Sequence, residues 1–247
     1  MTGIHTGVKQ RILQLNPKAT FMPCTNHSLN LAGVHATASN ANAVTFFGTV
    51  EKFYVFLSSS THRWDILHKH VPAINVKRMC ETRWSSRHDA VETVALHLDR
   101  IIDALEELRD GDAETVQTIG DAGTILTAIL SYSFISYLYL WNPILQEIEH
   151  LQTKGLGLDS CATKMKALSK YLEQERNHLV EKVQTTAVKF CKENEISTER
   201  RVGGGRHFGS PPRAALSLAT PLRDGVTKES VTHIHTDIHT KISLKLD

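Results

Sequence analysis

Cysteine is scarce in this sequence and never clustered. Cys24, Cys80, Cys161 and Cys191 are the whole complement. They form no Cys-x-x-Cys pair and have no compact spacing of the kind that builds a disulfide framework. No signal-peptide or transit-peptide pattern stands around Met1, Thr2 and Gly3. Together these absences point to a reducing compartment. Excess charge is lacking too: 28 Lys and Arg against 26 Asp and Glu leave a net charge of +2. Any contact with nucleic acid must therefore come from a local patch rather than from an overall polycation. A phosphate-binding loop is also missing, because Gly203, Gly204 and Gly205 lack the Lys-Ser/Thr and the helix that would follow them.

What is present is ordinary globular composition, 41% apolar and 22% charged over 247 residues, enough for one sizeable domain or two. Val8, Ile12, Leu13 and Leu15 recur at helical spacing until Asn16 and Pro17 stop them. Ala19 to Pro23 reads as a short strand that needs partners in a sheet. A helix is expected from about Ser28 to Ala38, with Ser39 to Asn42 as punctuation. Phe46, Phe47, Val50, Phe53, Tyr54 and Leu57 give the next helix one strongly aromatic face. After the polar break from Ser58 to Thr61, a further turn or two carries Trp64, Ile66 and Leu67.

Ile74 to Met79 reads as extended, with Ile74, Val76 and Arg78 on one side. From Ser85 the apolar spacing predicts one long amphipathic helix through Leu108, ended by Gly111. Ala122 to Gln146 contains no charged residue, so its length alone raises a membrane span. Its serines and threonines, Asn142 and Pro143 dilute the apolar content, and Glu147 and Glu149 stand where orienting cations would be expected. A core helix is the better reading. Asp159 to Glu193 carries a near-heptad stripe of Met165, Leu168, Leu172, Leu179, Val183, Ala187 and Phe190, interrupted by Arg176. Residues 196–230, with Arg200, Arg201, the three glycines, Arg206, Pro211, Pro212 and Arg213, have the composition of a flexible basic linker. The closing segment, 231–247, fits a strand or a helix equally well.

Candidate sites are few. Cys24 and His27 could share a Zn²⁺, but a structural zinc needs four ligands, and packing at a sheet edge is the preferred role. His233, His235, Asp237 and His239 have metal-ligand types without a second cluster, and a solvated face accounts for them as well. Arg83 and Trp84 offer a phosphate partner and a stacking surface for an unpaired base. The competing role, favoured on local sequence alone, has Trp84 capping a hydrophobic core and Arg83 paired with Glu81. No carboxylate follows a convincing strand, as a two-metal nuclease would require.

Several ordered blocks together resemble the hAT-superfamily DNA transposases, in particular the transposase-derived group similar to MYM-type zinc finger protein 1. They are Met1 to Val8, the Cys24-x-x-His27-x-Leu29-Asn30-Leu31 segment, Phe46 through Asp65, and Thr82-Arg83-Trp84 with Arg87. The resemblance runs to about Glu193. It implies an α-rich α/β fold: a partial RNase H-like core over 1–84 and a large all-helical insertion over 85–195. The family's acidic triad of two Asp and one Glu would then lie outside this chain. The expected function is a truncated or domesticated transposase remnant in the nucleus, with the cytoplasm as alternative. It would have no nuclease activity of its own and could bind DNA through Arg83, Trp84 and Arg87. An intact family member would use Mg²⁺ or Mn²⁺, whereas no cofactor, metal, membrane or small-molecule substrate is expected here. The rival expectation is a helical protein-interaction module that makes homo- or hetero-oligomers through the Phe46/Phe53/Leu57 face or the 159–193 helix.

Overall fold

A computed structural model describes residues 7–20, 40–80, 83–151 and 173–198, together with single positions at 34, 37, 38, 163, 166, 167, 170, 171, 226 and 232. Regular structure among the described residues is helical throughout. The helices with defined bounds are α1 (Val8–Leu15), α2 (Ala41–Ser58), α3 (Thr61–His70), α4 (Trp84–Leu96), α5 (Leu98–Asp110), α6 (Val116–Ile129), α7 (Tyr132–Leu151) and α8 (Arg176–Glu193).

The charge-free run is explained by position: α7 is the central helix, packed by α2, α4, α6 and α8. Ile135, Ser136, Tyr137, Leu138, Leu140 and Trp141 have no exposed surface on it. Over 134–141 this leaves almost no face on which a charge could be solvated. No single helix among the described residues is long and apolar enough to cross a membrane. The expected single run is in fact two helices bent by 67°. Ser131 makes the corner: its hydroxyl donates to the Ala128 carbonyl at 2.8 Å, ending α6, and accepts from the Phe134 amide at 3.2 Å, capping α7.

The α2 helix begins at Asn40, whose side chain accepts from the amides of Asn42 and Ala43 at 3.0 and 3.1 Å. The Tyr137 hydroxyl of α7 donates to the same oxygen at 3.1 Å, fixing the cap to the central helix. Phe46, Val50, Phe53 and Leu57 then point inward at i, i+4, i+7 and i+11, each at most 2% exposed. The predicted aromatic face is therefore consumed inside the molecule rather than offered to a partner.

The long helix expected from Ser85 is also two helices, broken at His97, where ψ is 21° instead of helical. The break serves two sets of neighbours. α4 lies mainly on α7, whereas α5 packs on α6 and α3. Side-chain hydrogen bonds, with Lys69–Glu107 an ion pair, join α3 to the α5 side: Glu107 accepts from Lys69 and His70, both at 2.7 Å, and His62 meets Glu114 at 2.6 Å. The final long helix has its defined part over α8, following a bend at Glu175, and it seats Leu179, Val180, Val183, Ala187 and Cys191 against α7. The side chains of Met165, Leu168 and Leu172 lie outside the described residues.

An α/β fold with a partial RNase H-like core is contradicted by this arrangement. The stretch 74–80 shows why the expectation failed. Ile74 and Val76 are buried and alternate with exposed neighbours, which is the pattern of a strand. The backbone, however, takes its partners from side chains instead of a ladder: the Met79 amide donates to Glu51 Oε2 at 3.2 Å and the Cys80 amide to Ser86 Oγ at 2.7 Å. The alternation arises because an extended chain lies over helices. Arg78, expected on the same side as Ile74 and Val76, is exposed and paired with Glu51 at 3.3 Å. Ala19 and Thr20 are irregular, and 21–23 lie outside the described residues. Of the helix expected over 28–38, Val34, Thr37 and Ala38 are helical and the remainder lies outside the described residues.

Candidate functional site

The residues predicted to face DNA meet at the start of α4, where the structure gives them different surroundings. Trp84 is 1% exposed. Its indole lies 5.6 Å from that of Trp141, and the Trp141 ring in turn meets Phe47 edge-on at 5.2 Å. The Arg87 guanidinium, one turn along α4, sits 4.7 Å above the Phe47 ring and 5.5 Å from the Trp84 ring. These are cation–π distances, and they direct Arg87 toward the core's edge. Arg83 occupies the N-cap position of α4 without a side-chain capping bond and is exposed. The turn before it is held by Ser86, whose hydroxyl donates to the Arg83 carbonyl at 2.7 Å. Trp84 and Arg87 thus come together as packing residues, and Arg83 alone projects outward.

Cys24 and His27 lie outside the described residues, as do His35 and the His233/His235/Asp237/His239 group. Among the described residues, no cluster of three or more His, Cys, Asp or Glu side chains is placed to hold a metal ion. No zinc-finger feature is present among the described residues, and the Cys24/His27 pair lies outside them. Neither described cysteine is in a disulfide; Cys80 is exposed and Cys191 buried. Burial pushes the Cys191 thiol up to about 11, so it stays protonated near neutrality and acts as a small apolar side chain of the α7–α8 contact.

The surface that sequence reasoning passed over is α1. None of its residues is buried. Val8 is 55% exposed, Ile12 50% and Leu15 89%. At about 100° per residue these side chains fall within about 60° of one another. Lys9 and Arg11 flank the apolar stripe on opposite sides, and Lys18 follows in the turn where the Lys18 amide donates to Asn16 Oδ1 at 3.0 Å. A signal for this was present: no Asp or Glu precedes Glu51 in the whole sequence. The near-zero net charge had concealed a basic beginning.

No protein-family profile, curated protein or solved structure matches this chain.

Proposed function

We propose that the chain is a helical docking module that presents α1 to a protein partner bearing an apolar groove rimmed by carboxylates. One observation carries this reading: the apolar stripe of α1 is left uncovered, whereas the fold buries the apolar faces of α2, α5 and α7. Val8, Ile12 and Leu15 stand at i, i+4 and i+7, the spacing by which a short helix anchors in a groove. Arg11 beside the stripe and Lys18 just after the helix select for an acidic rim. A lipid surface is the weaker match. Three aliphatic side chains offer less apolar area than one acyl chain, which alone binds membranes only marginally.

The DNA reading would need Trp84 to leave the core. Removing a buried tryptophan from such a site costs about 3–5 kcal/mol, a large part of the roughly 5–15 kcal/mol that stabilises a typical domain. The exposed Arg83 could gain only a fraction of that from one phosphate contact.

A photo-crosslinking residue placed at Ile12 in the full chain tests the proposal in cells, with the same residue at exposed Thr124 as control. The expected result is one protein crosslinked from position 12 and not from position 124. That protein, once purified, should bind the unmodified chain in a salt-dependent manner, and Ile12→Glu should weaken binding at least about 20-fold. Crosslinks to nucleic acid or lipid alone, or equal labelling from both positions, would overturn it.

A further inference from the structure

Two positions late in the chain return to α8. Val226 has no exposed surface and belongs to the hydrophobic core, and its carbonyl accepts from Gln184 Nε2 at 2.9 Å. Thr232 Oγ1 accepts from Arg176 Nη1, also at 2.9 Å. The later chain position meets the earlier residue of α8, so the two anchors run antiparallel to the helix. Gln184 and Arg176 are separated by roughly 12 Å at 1.5 Å per residue, a span that the six steps from 226 to 232 can cover. Between α8 and Val226 stand Gly203, Gly204, Gly205, Pro211 and Pro212, residues of linker type. Beyond Gln184, toward the end of α8, an open depression is lined by Gln184, Thr185, Val188, Lys189, Lys192 and Glu193.

We infer that this face of α8 is a peptide-docking site, and that the chain's own Val226 and Thr232 occupy its anchors in cis as parts of a displaceable ligand. The site reads three features. A β-branched aliphatic side chain enters the core where Val226 sits, the carbonyl of that residue meets Gln184, and a hydroxyl six positions later meets Arg176. Lys192 and Lys189, the latter ion-paired with Glu193 at 3.9 Å, lie in the adjoining depression, whose two cations against one carboxylate favour a ligand with a carboxylate preceding the aliphatic residue. In the sequence, Asp224 stands two positions before Val226. A segment of this chemistry from another molecule would compete for the same anchors. This inference is independent of α1 and of the partner proposed for it.

The test uses the full chain and a fluorescent peptide of residues 220–236. Val226→Asp in the chain should vacate the site and raise peptide affinity about tenfold or more, because a tethered copy competes at an effective concentration on the order of millimolar. A peptide carrying Val226→Asp should not bind. A folded Val226→Asp chain that binds the peptide no better than the unmodified chain would overturn the inference. Should that variant fail to fold, a protease site inserted at Gly204 gives a second route. After cleavage the C-terminal fragment should co-elute with the helical body and exchange for excess peptide. Separation of the fragment at micromolar concentration, or failure to exchange, would refute the inference.

Discussion

The indole of Trp84 lies 5.6 Å from the indole of Trp141, ring centre to ring centre, joining the first residue of α4 to the central helix. That relationship makes Trp84 a structural residue and separates it from its neighbour in sequence. Trp84→Ala should destabilise the chain by about 3–5 kcal/mol in urea denaturation. Arg83→Ala, at an exposed position, should stay within about 0.5 kcal/mol of the unmodified chain. Equal, small effects from both would show that Trp84 is not packed as described.

Among the described residues, two other than glycine hold a left-handed backbone, Ala73 at φ 64° and Glu195 at φ 55°. Each occupies a turn that follows a helix. After α8, the Ile196 amide donates to the Cys191 carbonyl at 2.8 Å, closing the cap around Glu195. Glycine adopts this conformation without the clash of a Cβ. Ala73→Gly and Glu195→Gly should each stabilise by about 0.5–1 kcal/mol, and their effects should add because the sites lie on different helices. Paired denaturation curves check this, and a loss of stability at either site would count against the described turn.

Ser131 decides where the charge-free run bends. Ser131→Ala removes the acceptor for the Phe134 amide and should cost about 1 kcal/mol. Amide exchange should quicken around residues 131–135 while the middle of α7 stays protected. Uniform protection across the junction would mean that a continuous helix is the true structure.

Glu107 supplies a pH dependence with a defined sign. Hydrogen bonds from Lys69 and then His70 hold its carboxyl below the usual carboxylate value of 4.5. A carboxylate depressed on folding contributes stability that is fully present above its unfolded pKa and is lost as pH falls through the folded one. The site is partly exposed, so the contribution is small. The stability difference between the unmodified chain and Glu107→Gln should therefore be present near neutral pH and shrink below the carboxylate range. A difference that grows on acidification would contradict the pairing.

The parts of this fold that were legible in the sequence are those decided locally. Pro17 cannot continue a helix, so the end of α1 could be read from the residues alone. The aromatic face of α2 was legible because Phe46, Val50, Phe53 and Leu57 keep one period over its whole length. The breaks at His97 and Ser131 were not legible, since apolar spacing continues across both and only the neighbours on either side require the turn. The extended stretch 74–80 misled because burial over helices and burial in a sheet leave the same alternation at Ile74 and Val76. Trp84 was ambiguous for a related reason: its partner, Trp141, is far away in sequence. The uncovered face of α1 needed the structure, because an apolar stripe does not announce whether its own chain will cover it.

The most direct measurement is thermal melting of the unmodified chain beside Ile12→Glu and Leu15→Glu. If the α1 stripe is kept for a partner and plays no part in the core, both variants should melt within about 1 °C of the unmodified chain. A drop of several degrees in either would mean that Val8, Ile12 and Leu15 serve the fold itself, and the docking role assigned to α1 would be wrong.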